Sequence, residues 1–129
     1  MSAANPAQVP LFKALVPLLH VASVPRSMAF YQSLGFRAAN VFTPPDEDEP
    51  SFVRLDSGGA RLMLVRGHAI KADEQGMILT LYCADVAATH AAVRAAGVSA
   101  GDISFPPERP NGRFRLTDPD GYDLAVTHT

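Results

Sequence analysis

The feature that most constrains this chain is an internal repeat. LVPLLHVASVPRSMAFYQSLGF (residues 15–36) and MILTLYCADVAATHAAVRAAGV (residues 77–98) each read as an apolar strand, a polar cap and an amphipathic helix closed by glycine. Gly35 and Gly97 stand 62 residues apart. The caps Ser23 and Asp85, the turn residues Asp56 and Asp118, and the turn glycines Gly59 and Gly121 keep the same spacing. One such pair carries no weight. Four in a single register imply that a chain of 129 residues is one structural unit used twice. That length suits one domain, 1–129, built from halves at about 12–66 and 75–128, because two separate cores would be cramped.

Each half can be read from its own signals. Ser23 or Asp85 can accept from a free N–H of the first helical turn, and Pro25 sits where its missing N–H is not needed. Helices are therefore predicted near 24–34 and 86–96. Phe36 and Val98, just past the closing glycines, can fold back onto the helix. Ser51–Leu55 and Arg113–Thr117 lead through glycine-containing turns into Ala60–Val65 and Tyr122–Thr127, a hairpin signal. The expected fold is α+β, with each half a strand, a helix and a three-strand meander. Eight strands would then form two mostly antiparallel four-stranded sheets. The connectors Thr43–Pro50, with four consecutive acids at 46–49, and Phe105–Gly112 should be exposed loops, the acidic run being a solvated one.

Composition removes several functions. With 47% hydrophobic and 19% charged residues the chain can build a core. A net charge of −2 gives no bulk positive field for nucleic acid or anionic membranes, so neither is expected as a partner. The N-terminus has prolines at 6, 10 and 17 and no basic region, and no apolar run reaches the roughly 20 residues of a membrane helix. A soluble cytoplasmic protein is the expectation. Cys83, the single cysteine, can form neither an internal disulfide nor a thiolate zinc site. Phosphate-binding loops, nucleophile elbows and dinucleotide fingerprints are absent, and Ser57-Gly-Gly59 reads as a turn.

Two βαβββ halves, a Ser-x-x-Phe-Tyr-x-x-Leu-Gly-Phe helix (Ser27, Phe30, Tyr31, Leu34, Gly35, Phe36) and an Asp-Pro-Asp-Gly turn (Asp118–Gly121) resemble the vicinal oxygen chelate superfamily over roughly residues 12–128. That superfamily includes glyoxalase I, extradiol dioxygenases, and fosfomycin- and bleomycin-resistance proteins. The resemblance implies a cleft between the sheets. In metal-dependent members it also implies a His, Gln or Glu ligand on the first strand and a Glu on the last strand of each module. The corresponding positions here are Val16 and Ile78, and Met63 and Ala125. Alkyl groups and one thioether offer almost nothing to a hard or borderline divalent ion, so no metal and no other cofactor are expected.

Strand alternation assigns the remaining cleft residues. Leu18 and His20 are in step with Val16, and Thr80 and Tyr82 with Ile78; Arg61, Met63 and Val65 share one face, as do Asp123, Ala125 and Thr127. Leu15, Pro17, Leu19 and Val21, with Leu79, Leu81 and Cys83, should pack under the helices. The cleft is then an apolar pocket with a few polar groups, the composition of a small-molecule site. His20 could donate to a ligand or exchange a proton near neutral pH, or simply be held by Tyr82 or a carbonyl. Tyr82 could stack on a ligand or fill the barrel. Arg61 and Asp123 could recognise a charged ligand or serve as strand-end charges. His68, His90 and His128 read as surface residues, and Cys83 as an inert buried thiol.

Two functional classes follow, with no catalytic residue assigned. The first is metal-free binding of a small hydrophobic or amphipathic molecule, as in the bleomycin-resistance branch. The second is a lyase, isomerase or dioxygenase, working through a displaced metal or through His20 and Tyr82. A pure interaction module would follow if the cleft were filled by its own side chains. The resemblance also implies a homodimer.

Overall fold

The computed structural model describes residues 9–68, 71 and 73–128; Pro6 and the outer ends of the domain lie outside them. Strand β1 (Leu18–Val21) hands the chain to helix α1 (Val24–Ser33) through Ser23, whose Oγ accepts from the Arg26 N–H at 3.2 Å. In the second half β5 (Ile78–Cys83) reaches α2 (Val86–Ala95) through Asp85, whose Oδ1 accepts from the Ala88 N–H at 2.9 Å. Such a cap contributes about 1 kcal/mol. Both helices end alike. The amides of Phe36 and Val98 reach back to the carbonyls of Tyr31 and Val93, and the Phe36 ring packs edge-on against Tyr31.

Strands β2 (Arg37–Phe42), β3 (Phe52–Ser57) and β4 (Ala60–Arg66) complete the first sheet, in the order β1-β4-β3-β2, with β1 parallel to β4. The second sheet has the order β5-β7-β6, with β6 at Arg113–Thr117 and β7 at Asp123–His128, and β5 runs parallel to β7. Both sheets are thus mixed. In each, the side facing the helix is apolar across the strands. Leu19, Leu64 and Val53 stand in one row, and Leu81, Val126 and Phe114 in another. All but Leu81 are buried, each contributing roughly 1.5–3 kcal/mol of transfer free energy. The acidic 46–49 segment lies exposed in the β2–β3 connection, tied to the sheet by Glu47 and Arg66 at 2.7 Å.

The eighth strand is missing: the second sheet has three strands among the described residues, not the expected four. Residues 101–104 run beside β6 but make only one isolated bridge, Ser104 to Arg113, plus a hydrogen bond from the Gly101 amide to the Arg115 carbonyl. Three steps of chain oppose two on β6, and Pro106 and Pro107 then remove the donors needed to continue. The start of β1 is also corrected. Leu15 is 90% exposed rather than packed under the helix, because Pro17 has no N–H and enters the ladder only through its carbonyl, which accepts from Met63.

The two hairpins differ as well. In the first, Ser57 pairs with Ala60 around a two-residue turn; in the second, Thr117 pairs with Asp123 around the five residues 118–122. The rest of the repeat keeps its offset of 62 residues, but β6 is offset from β3 by 61. Phe114 and Leu116 therefore occupy the buried places of Val53 and Leu55.

Candidate functional site

The side of each sheet turned away from its helix carries the predicted site residues. Strand register places Leu18 beside Met63 and Arg54, and His20 beside Val65 and Phe52. On the second sheet it places Ile78 beside Asp123 and Thr117, Thr80 beside Ala125 and Arg115, and Tyr82 beside Thr127 and Arg113. Leu18, Ile78 and Tyr82 are 45%, 50% and 54% exposed, so among the described residues much of these two faces is left open. Met63 is half-buried, and Ala125 is buried at the middle of its sheet. Val16 is half-buried just ahead of β1.

The polar groups pair differently from the sequence-based alternatives. Arg61 and Asp123 do not meet: the Arg61 Nε lies 3.8 Å from Asp56, and Asp123 lies 3.7 Å from the Arg115 Nη2. Neither the His20 ring nor the Tyr82 hydroxyl finds a hydrogen-bond partner among the described residues, while the guanidinium of Arg109 lies 5.6 Å from the centre of the Tyr82 ring. Thr127 is buried on this face, donating to the Gly112 carbonyl at 2.9 Å. His90 is not a free surface residue. It is half-buried, against Phe114 with its Nε2 at 2.8 Å from the Gly101 carbonyl. Cys83 is half-buried, beside Leu81 and Val126 in a cavity of about 260 Å³ between the modules.

The residues present do not fit the metal that the fold family implies. No group of three His, Cys, Asp or Glu side chains gathers among the described residues, and Val16, Met63, Ile78 and Ala125 supply no oxygen or nitrogen donor.

Sequence reasoning missed two sets of residues. Arg54 and Arg115 stand directly opposite Met63 and Ala125, on equivalent places of the two sheets. An offset of 62 aligns Arg54 with the buried Leu116 and so hides the match; only the 61-residue shift of β6 reveals it. The second set joins the halves. The Tyr31 hydroxyl donates to Asp118 Oδ2 at 2.8 Å, and the Ser27 hydroxyl to Asp120 Oδ2 at 3.0 Å. Asp120 also accepts from the Ala22 amide and faces Arg26, and the Tyr122 hydroxyl donates to the His20 carbonyl. The helix motif and the turn motif are therefore each other's partners. Burial first, then the negative charge of Asp118, pushes the Tyr31 phenol far above its ordinary pKa, which keeps it a donor.

The fold has counterparts among solved structures. No curated protein gives a significant sequence match. Similar solved structures include a bleomycin-binding protein complexed with bleomycin, 18% identical, with a TM-score of 0.73 over 92% of this chain and 99% of that one. The bleomycin resistance determinant of transposon Tn5 is 18% identical, with a TM-score of 0.74 over 92% and 98%. The bleomycin-binding protein of Streptomyces verticillus, complexed with copper(II)-bleomycin, is 21% identical, with a TM-score of 0.71 over 94% and 99%. At these identities the likeness is one of fold. A family model for the glyoxalase/bleomycin resistance protein/dioxygenase superfamily matches residues 14–126, nearly the whole βαβββ repeat, and the chain belongs to that superfamily.

Proposed function

We propose that the protein binds a small amphipathic molecule on the open faces of its two sheets, without a metal, as a sequestering or resistance-type member of the superfamily. The observation that carries this reading is the chemistry of four positions. Val16, Met63, Ile78 and Ala125 put apolar surface where the family resemblance implies donors. Around them the faces hold half-exposed Leu18, Ile78 and Tyr82 with a few polar groups, the mixture that small-molecule sites use. The similar structures bound to bleomycin support the class of function. They do not name the ligand.

The working form is a homodimer, because both faces leave large apolar side chains in water and a second copy would close each face into a cleft. Calorimetric titration with bleomycin and with a panel of aromatic and aliphatic amphiphiles tests binding directly. Elemental analysis of protein purified without added metal tests the rest: stoichiometric Zn, Fe, Mn or Ni would overturn the metal-free reading. Sedimentation showing only a 13.7 kDa species at micromolar concentration would overturn the dimer.

A further inference from the structure

Charge is unevenly divided between the open faces and the rest of the molecule. The chain as a whole is acidic, with 11 Lys and Arg against 13 Asp and Glu. The strand residues of the two open faces reverse this balance. Arg37, Arg54, Arg61, Arg113 and Arg115 stand there against Asp56 and Asp123 alone, by the strand register. A cationic surface on an acidic protein is a local field that selects anions.

The donors of these arginines are also under-used. A guanidinium has five N–H groups, yet among the described residues these side chains make one hydrogen bond, Arg54 Nη2 to Asp56 at 3.2 Å. Arg113 to Glu108, Arg115 to Asp123 and Arg61 to Asp56 are looser, at 3.9, 3.7 and 3.8 Å. Among the described residues the shielded Nε atoms of Arg54 and Arg113 have no hydrogen-bond partner, and neither has Asp56 Oδ1. The rest of the Arg54 and Arg115 side chains is open, 38% and 44% exposed, which leaves their outer N–H groups available to a ligand.

Arg54 faces Met63 and Arg115 faces Ala125 across neighbouring strands, so each sheet sets one guanidinium beside an apolar centre at the same structural place. Two planar forks on matched faces can grip a carboxylate, sulfonate or phosphonate in bidentate fashion while Leu18, Ile78 and Tyr82 take an apolar body. We infer that the ligand is an organic oxyanion with an apolar body, held by Arg54 and Arg115. This rests on the cleft reading above and adds the ligand's charge class.

A matched dye pair separates the two ideas: 8-anilinonaphthalene-1-sulfonate, and N-phenyl-1-naphthylamine, which is the same skeleton without the sulfonate. The sulfonate should bind at least about ten-fold more tightly, the scale of one charge-assisted contact, and added salt should weaken it alone. In Arg54→Met/Arg115→Met the preference should fall to within about two-fold, while Arg54→Lys/Arg115→Lys keeps the charge, loses the fork and falls between. Arg66→Met, on the opposite side of β4 and paired with Glu47, should behave as wild type. Circular dichroism verifies folding, and if the Met variant does not fold, the Lys variant and the salt series on wild type decide. Equal affinity for both dyes, or a preference unchanged by the arginine substitutions, would overturn the anion inference and leave the cleft standing. Binding of neither dye would sink the cleft itself.

Discussion

The duplicated modules meet along two seams, and the seams are unlike. On one, the long turn Asp118–Tyr122 of the second module is fastened to β1 and α1 of the first by Tyr31, Ser27, Arg26 and two backbone groups. On the other, the short turn of the first module approaches β5 and α2 of the second. There the cavity of about 260 Å³ opens, lined by Ser57, Ala60, Leu81, Cys83, Thr89 and Val93 among others. Position by position the repeat explains the gap. Ala60 stands where the other seam has Tyr122, Gly58 where it has Asp120, Thr89 where it has Ser27, and Val93 where it has Tyr31. Duplication reproduced the helices and strands beside both seams, and turn length with side-chain size decided which seam closed.

The filled seam should break most dramatically. Asp118 accepts from the Tyr31 hydroxyl and from the amides of Asp120 and Tyr122, and its side chain sits at the centre of the junction. Asp118→Ala leaves the buried Tyr31 hydroxyl and Tyr122 amide and the part-buried Asp120 amide without an acceptor, and should cost about 3–5 kcal/mol, each unsatisfied buried donor costing roughly 1–3. Thermal unfolding should drop on the order of 10 °C. The same residue gives a pH signature. Burial raises the Asp118 pKa above the ordinary carboxylate range, so the folded chain holds this proton more tightly than the unfolded one. Its contribution to stability is fully present below the usual carboxylate pKa of about 3.9 and is lost as pH rises through the raised value. Asp118→Asn should remove that loss, so the stability–pH curve of the variant should fall less, or climb more, above pH 4 than the wild-type curve. Parallel curves would show that Asp118 does not titrate as described.

The empty seam can be filled from the pattern of the other. Ala60→Tyr places a ring where Tyr122 lies in the second module, with its hydroxyl directed at the Tyr82 carbonyl as Tyr122 is at the His20 carbonyl. The gain should be about 1–2 kcal/mol, the usual return of cavity filling, read as a higher midpoint in denaturant at an unchanged slope. A destabilised variant would mean that the two seams are not related by the repeat.

Much of this was legible in the sequence. Glycine spacing and the caps Ser23 and Asp85 located both helices to within one residue, and period-two alternation put Leu18, His20, Ile78, Thr80 and Tyr82 on the faces turned from the helices. Three things were not legible. The missing eighth strand depended on pairing partners beyond the local pattern. Loop length shifted β6 by one residue, which a fixed offset cannot show and which concealed Arg54 and Arg115 as a pair. The partnership of Ser27 and Tyr31 with the 118–122 turn spans about 90 residues of sequence, and only tertiary structure brings it together.

The smallest effect is the sharpest test of how far the two turns have diverged. Gly59 and Gly121 hold the same place in the repeat, yet their backbones differ. Gly121 has φ +90°, where an L side chain is strained, whereas in the shorter turn the left-handed residue is Gly58, at φ +55°. Gly59 has no positive φ, and a Cβ added there would meet nothing within 4 Å. Alanine at 59 should therefore stabilise by about 0.5 kcal/mol, since it restricts the unfolded chain and costs nothing in the folded one. Alanine at 121 should instead destabilise by about 1 kcal/mol or more, because the native backbone does not accommodate it. Denaturant midpoints of the two single variants and the double variant measure both effects, and the double variant should show their sum because the turns do not touch the same groups. Effects of the same sign at both sites would mean that the two turns share one backbone conformation and that the one-residue shift between the hairpins is absent in solution.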